Sequence, residues 1–461
     1  MLKRLIDFGI FSILFFSSII IFKRQFAFEF YVNYIPLIIL LLIFSFKYRF
    51  PTQIFYIFVP LLIFGFINIF FENDTFSDFL KIYVNIFIGV LFFYYVFEYY
   101  DRDIEKFFSI YINFCLISCV ICLIQLISFN IGFKYGFDYR YLGLNKWGLA
   151  DGGFFGLRVN GFFSEPSYVA STIGPAFFIS IYNLFFRTSY FINRNKSILI
   201  AITYLLTFSS VAYLGILFVV ILLLINYGIV RYLIFAVPAI FIIFYYLYNN
   251  VNEFKSRING VSALYIEGIL EKEGTIQSQG GAMQQMTHKI NILGKIHGSS
   301  FVQYNNFVVA KENFIRNPLF GSGLGSHGIA FEKYNLNSYM GNEYKNNSSD
   351  ANSMLLRIVS ETGLFGIIFM FLFIKNYYIK KDAENEISDY HWLISNAVLI
   401  IILLQLARQG NYTYGGFMAY MWLYYYTKED YLKKTEEYHL KKEAAAIENS
   451  SIKTMNQNNI L

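Results

Sequence analysis

The feature that most constrains this chain is a series of apolar blocks of about 17–25 residues, the length an α-helix needs to cross ~30 Å of hydrocarbon. Lipid offers no water to backbone N–H and C=O groups, so blocks of this kind must pair their own backbone as helices. They are read at about 5–22, 31–46, 52–71, 79–98, 107–129, 167–186, 197–209, 211–227, 230–248, 353–375, 391–407 and 411–427. The seventh and eighth form one apolar stretch broken at Ser209-Ser210, read as a tight hairpin. Only 15% of the residues are charged and 56% are hydrophobic, against roughly 25% charged in a soluble domain. The fold class expected is an all-α polytopic membrane protein with about 12 transmembrane helices and a large extracytoplasmic loop domain.

Lys and Arg in short loops set orientation. With the N-terminus inside, the inner loops carry Lys47 and Arg49, Arg102 and Lys106, Arg187, Arg194 and Lys196, Arg231, and Lys375, Lys380 and Lys381. Both termini are then cytoplasmic, and two longer segments fall outside, at about 130–166 and 249–352. The second is too long to be a mere connection and is read as a small folded cap. The chain thus divides into helices 1–9 over 1–248, the cap over 249–352, helices 10–12 over 353–427 and a cytoplasmic tail over 428–461. Lys3 and Arg4 precede an apolar run to Phe22 with no small-x-small cleavage site after it, so the first helix is read as retained.

Several classes fall away. The net charge of +6 is not clustered as nucleic-acid binding requires. Cys115, Cys119 and Cys122 share one helix face with no His or carboxylate beside them, which suits packing better than a metal site. No metal-ligand spacing and no nucleotide-binding motif occurs.

Polar groups inside a membrane cost energy, about 2.5–3.5 kcal/mol for a central Arg, so the exceptions to apolar helices are informative. They are expected near the outer edge. Arg357 and Glu361 are spaced i, i+4 and can pair on one helix face; a buried structural ion pair is the plain reading, a polar wall around a substrate head group the functional one. Arg158 to Ser167 runs into the sixth helix, with Pro166 suited to its first position. Glu165 there complements the helix dipole or stands as a carboxylate at the mouth of a membrane cavity. Arg408 ends the eleventh helix. Arg316 precedes Asn317-Pro318-Leu319-Phe320-Gly321-Ser322-Gly323-Leu324-Gly325-Ser326-His327, a glycine-rich turn with His327 read as an ordinary surface residue. Arginines beside carboxylates at one depth suit a substrate with phosphate and hydroxyl groups.

At these residues the sequence resembles the bacterial O-antigen polymerase and O-antigen ligase superfamily. The resemblance rests on Arg158-Val159-Asn160-Gly161-Phe162-Phe163-Ser164-Glu165-Pro166-Ser167, on Leu206-Thr207-Phe208-Ser209-Ser210, and on Asn317 to Gly325 followed by Asp350-Ala351-Asn352-Ser353 and Ser360-Glu361-Thr362-Gly363-Leu364-Phe365-Gly366. Two departures stand out. Ser210 occupies a position where the family often has Arg, and Ala351-Asn352 replaces the His-Asn pair of ligases, which favours the polymerase branch.

The resemblance implies a metal- and cofactor-independent glycosyltransferase of the bacterial plasma membrane. It would join oligosaccharide repeat units carried on undecaprenyl diphosphate, within membrane lipid and beside a flippase and a chain-length regulator. Arg158 and Arg357 would then stabilise the diphosphate leaving group, with Arg316 and Arg408 as secondary candidates. Glu165 would be the base, Glu361 a second carboxylate that also orients Arg357, and Asn160, His327, Asp350 and Asn352 substrate-binding residues. The alternatives are a ligase that moves finished glycan to a lipid or protein acceptor, and a non-enzymatic lipid-linked oligosaccharide flippase or transporter.

Overall fold

The computed structural model describes residues 2–16, 20–21, 30–142, 144, 148–153, 155–228, 233–250, 255, 258–259, 298–335, 347–381, 389–413 and 416–458. Its helices are α1 (Leu2–Phe15), α2 (Tyr34–Lys47), α3 (Phe55–Phe70, after a 3-10 turn at Thr52–Ile54), α4 (Phe76–Tyr99), α5 (Ile104–Asn130), α6 (Lys134–Phe137), α7 (Pro166–Phe186), α8 (Arg194–Leu206), α9 (Ser210–Asn226), α10 (Leu233–Asn250), α11 (Gly298–Arg316), α12 (His327–Tyr334), α13 (Met354–Tyr377), α14 (Asp389–Arg408) and α15 (Phe417–Asn458). Two antiparallel pairs of two-residue strands complete it: β1 (Ile20–Ile21) with β2 (Phe30–Tyr31), and β3 (Ala150–Asp151) with β4 (Leu157–Arg158).

The chain is all-α and built for a membrane. Among the described residues, six helices are long and apolar enough to cross one: Thr52–Phe70, Phe76–Tyr99, Ile104–Asn130, Pro166–Phe186, Met354–Tyr377 and Asp389–Arg408. Tyr34–Lys47 and Ser210–Asn226 are shorter apolar helices. Large apolar side chains stand exposed along α3 (Ile57, Val59, Ile63, Phe66) and the second half of α13 (Leu364, Phe365, Ile368, Phe371). An aqueous protein would not leave such stripes uncovered.

The first expected helix is shorter than its apolar run. α1 ends at Phe15, and Ile20 and Ile21 pair as a strand instead of continuing to Phe22. At the other end, the expected 411–427 helix begins at Phe417 and continues without interruption to Asn458, absorbing the tail. Most of the expected 249–352 cap lies outside the described residues, including His288 and His297. Its described helices are α11 and α12, both packed on α13, with the 317–326 segment between them and 347–352 leading into α13.

α7 and α14 form the centre and run antiparallel. Gly174 of α7 faces Leu404 and Ile400 of α14, where a Cβ would stand 3.2 and 3.4 Å from their side chains. Ala170 and Ser171, close to Gly174 around the helix, keep that face small, which lets apolar helices approach closely without a hydrophobic drive between them. The break after Leu206 reverses the chain. Val159 N–H donates to Leu206 O at one end of α8–α9, and Asn226 Nδ2 donates to Asn396 Oδ1 of α14 at 2.8 Å at the other. The hairpin turns at Thr207–Ser209, with Ser209 accepting from Ala212 N–H as N-cap.

These contacts sort the loops into two ends. One end holds the start of α7, the Thr207–Ser209 turn, the start of α13 and the end of α14. The opposite end holds a second polar group. Asn226 meets Tyr378, Asn396 and the Lys381 N–H, while Asp430 of α15 accepts from Lys434 and pairs with His391, each at 2.8 Å. The polar residues are therefore not confined to one edge.

Candidate functional site

The site is organised by a break in α13. Gly363 has φ 59° and ψ −147°, a conformation glycine adopts without steric cost, and the helix runs on either side of it. Breaking a helix frees backbone groups that need partners. The Asn317–Ser326 segment supplies them as a strap. Ser322 N–H donates to Ser360 O at 3.2 Å and Gly323 N–H to Glu361 O at 2.9 Å. In the other direction Leu364 N–H donates to Pro318 O and Phe365 N–H to Leu319 O, at 2.8 and 3.0 Å. Asn313 of α11 clamps the crossing, with Nδ2 within 2.9 Å of Ser322 Oγ, Ser360 O and Ser360 Oγ. A Cβ on Gly321 would meet the Glu361 carbonyl carbon at 2.4 Å, so glycine is what admits this approach.

Arg357 and Glu361 sit just before the break. Arg357 Nε and Glu361 Oε1 are 2.8 Å apart, with side chains 4% and 0% exposed. Arg357 Nη1 also donates to Gly410 O at 2.9 Å, and its guanidinium lies 4.5 Å from the Tyr412 ring centre. Tyr412 Oη donates to Glu361 Oε2 at 2.9 Å. The pair is a buried ion pair whose remaining hydrogen-bonding capacity is turned on the α14–α15 turn. Asp350 to Ser353 close the other side. Ser353 caps α13 and donates to Leu406 O at 2.7 Å. Asp350 Oδ1 accepts from Asn352 N–H, and Ala351 and Asn352 both take left-handed φ values, 57° and 53°.

Arg158, Asn160 and Glu165 are placed by the first turn of α7 and the strand before it. Arg158 is half-buried and its Nε donates to Thr207 O at 3.3 Å, which ties β4 to the helix break. Asn160 is wholly buried. Gln125 of α5 holds it: Gln125 Nε2 donates to Asn160 Oδ1 at 2.8 Å, and Gln125 Oε1 accepts from the N–H groups of Asn160 and Gly161. Glu165 occupies the N-cap position of α7, is exposed, and accepts from Ser167 Oγ at 3.0 Å. The antiparallel packing of α7 and α14 brings this set to the same end of the bundle as Arg357, Glu361 and Arg408.

The other expected residues divide. Arg408 Nη1 donates to Gln303 Oε1 of α11 at 2.5 Å. Arg316 is exposed and lies over the Tyr334 ring at 5.1 Å. His327 is not a surface residue: it is fully buried at the start of α12, with Nε2 3.0 Å from Asn306 Oδ1. Burial, then the nearby Arg357 charge, pushes its imidazole down to about 3, so it is neutral. Gln125, Tyr412, Gly410, Asn313 and Asp74 escaped the sequence reading. Gln125 carried a usable signal, as a polar residue inside an apolar block. Gly410 and Tyr412 gave none, because their partners lie about fifty residues away.

Among the described residues no group of three or more His, Cys, Asp or Glu side chains is placed to hold a metal ion. No protein-family model matches the chain, and no curated protein matches it by sequence.

Proposed function

We propose that the chain is a surface-polysaccharide polymerase that joins undecaprenyl-diphosphate-linked oligosaccharide repeat units at the outer face of the bacterial plasma membrane. The proposal includes the full topology of about twelve spans with both termini cytoplasmic. The observation that carries it is the placement of Arg158 and Glu165, and of the Arg357–Glu361 pair, at one end of an apolar bundle, with Arg158 half-buried and Glu165 exposed.

In this reading Glu165 takes the proton of the acceptor hydroxyl. The acceptor oxygen bonds to the anomeric carbon of the growing chain as the bond from that carbon to the diphosphate oxygen breaks. Undecaprenyl diphosphate leaves, and Arg158 stabilises the charge it gains. Arg357 and Glu361 are the second pair, holding the Gly410–Tyr412 turn against the site; Arg357 reaches a diphosphate only by exchanging one of its present partners. Asp350, Asn352, Arg316 and Arg408 position sugars from the rim, while buried Asn160 and His327 shape the site from behind.

The test is a deletion strain complemented with Glu165→Gln or Arg158→Ala at matched protein levels. Loss of long chains with single repeat units on the acceptor supports the proposal, and normal long chains from both variants sink it. The deletion itself separates the alternatives: long chains stranded on the lipid carrier indicate a ligase, and repeat units held on the inner leaflet indicate a flippase.

A further inference from the structure

Asp74 lies in the turn between α3 and α4, and the proposed reaction gives it no task. It is 5% exposed. Its Oδ1 accepts from Thr75 N–H at 2.8 Å, while Oδ2 is buried with no hydrogen-bond partner among the described residues. That second oxygen faces the glycine-rich strap. A Cβ on Gly323 would stand 3.1 Å from Asp74 Oδ2 and 3.0 Å from Asn68 Cβ. Two residues on, a Cβ on Gly325 would stand 2.7 Å from Asp78 O. The α3–α4 turn is therefore docked on the strap at two glycines, with an unsatisfied carboxyl oxygen in the joint. Phe64 of α3 stacks on Phe320 of the strap at 4.9 Å and extends the same contact.

Among the described residues no opposite charge acts on that joint, so an ionised carboxylate there is a buried charge without a counter-charge, the costliest way to bury a polar group. The charged groups acting on it have the same sign: Glu361 from α13 and Asp78 from α4. Glu361 is already engaged by Arg357 and Tyr412, and Asp78 accepts from Thr75 Oγ1. Glu72, in the same turn, is exposed. His327, on the strap's helix, is neutral, and Asn68 carries no charge. Burial above all, with Glu361 and Asp78 adding to it, pushes the Asp74 carboxyl up to about 7 against the opposing Thr75 hydrogen bond.

We infer that Asp74 is a proton-binding site that keeps the α3–α4 turn docked on the glycine-rich strap, and that losing the proton loosens the joint. The docked form binds the proton more tightly than a free carboxyl does. Docking is therefore strongest at low pH, weakens as pH rises from the ordinary carboxyl value of 3.8 to about 7, and levels off above that. For one proton the slope is about tenfold per pH unit inside this window.

Leu324, buried in the same strap, serves as reporter. In a chain whose three buried cysteines are replaced by Ala, Leu324→Cys is labelled with a maleimide in detergent micelles from pH 5.5 to 8, with and without Asp74→Asn. Dividing the first rate by the second removes the thiol's own pH dependence. The ratio is expected to climb about tenfold per pH unit up to about 7 and then level off; a flat ratio overturns the inference. Should the reporter chain fail to fold, apparent melting temperatures of the native chain and Asp74→Asn over the same range decide. The native curve is expected to fall with pH while the variant's stays level, and parallel curves overturn the inference.

Discussion

Arg357 and Glu361 lend themselves to a double-mutant cycle, because the hydrogen-bond partners of both side chains are defined among the described residues. Arg357→Met leaves Glu361 fully buried, with Tyr412 Oη its remaining side-chain partner. Removing one member of a buried pair costs about 3–5 kcal/mol, since the other charge is stranded. Glu361→Leu strands the guanidinium with Gly410 O and costs a similar amount. In Arg357→Met/Glu361→Leu no charge is left behind. What remains unmade are the bonds of Gly410 O and Tyr412 Oη, about 1–3 kcal/mol for each buried group. The sum of the singles is then about 6–10 kcal/mol and the double about 2–6, so the coupling at the middle of these ranges is about 4 kcal/mol. The assay is apparent thermal stability in detergent micelles, calibrated by denaturant titration of the same four proteins. Additivity within about 0.5 kcal/mol would refute the argument, because non-interacting sites behave that way. So would a silent Arg357→Met.

Four further substitutions test the packing around that pair. Gly410→Ala places a Cβ 1.3 Å from Asp350 O and is expected to abolish folded protein in a detergent extract, whereas Gly328→Ala, with nothing within 4 Å, is expected to be stable and well expressed. Ala351→Gly relieves a left-handed alanine at φ 57° and is expected to raise stability by up to about 1 kcal/mol, read as a higher melting temperature. Gln125→Leu removes the acceptor of the Asn160 and Gly161 N–H groups and the donor to Asn160 Oδ1 and Phe137 O. A loss of about 2–4 kcal/mol is expected for those buried groups, with protease cleavage appearing first in the 157–165 segment; an unchanged melting temperature would count against the clamp.

The apolar blocks were readable because lipid leaves the backbone one solution, and most of the helices follow them closely. Ser209 was readable as a break because two hydroxyls interrupt an apolar stretch too long for one span, and Ser is a favoured N-cap. The end of α1 was the weaker case: Ser17-Ser18 interrupts the run from Phe16 to Phe22, Ile19 to Phe22 resume it, and pairing of Ile20–Ile21 with Phe30–Tyr31 decides where the helix stops. The i, i+4 spacing of Arg357 and Glu361 foretold their contact, a local matter of helix geometry. Their burial was one of the two readings the sequence left open, and the groups that decide for it, Gly410 and Tyr412, arrive from another element. His327 failed for the same reason: a histidine after a glycine-rich turn looks exposed until α11 brings Asn306 against it. The strap was legible as a turn and illegible as a strap, since the groups it satisfies belong to a break some forty residues later.

The two ends of the bundle also differ in how they hold their polar groups. At the opposite end, Asn226, Asn396, Asp430 and Lys434 lie on unbroken helices and bond side chain to side chain. Left-handed residues occur there too: Asp101, Arg102 and Arg187 follow helix ends, as such residues commonly do, and Phe191 lies in the loop between α7 and α8. At the site end Gly363 interrupts α13 itself, and left-handed backbone also stands at Phe208 between α8 and α9, at Ala351-Asn352 before α13 and at Gly161 against Cys122. Backbone of this kind survives at membrane depth only where it is buried in protein or lines a water-filled cavity. Strained conformations persist only where the surroundings over-determine them, and they gather at functional sites. Polarity alone therefore does not single out an end, as the Asn226–Asn396 network shows. The coincidence of charge with broken backbone does, and it selects the end where Glu165, Arg158 and the Arg357–Glu361 pair are found.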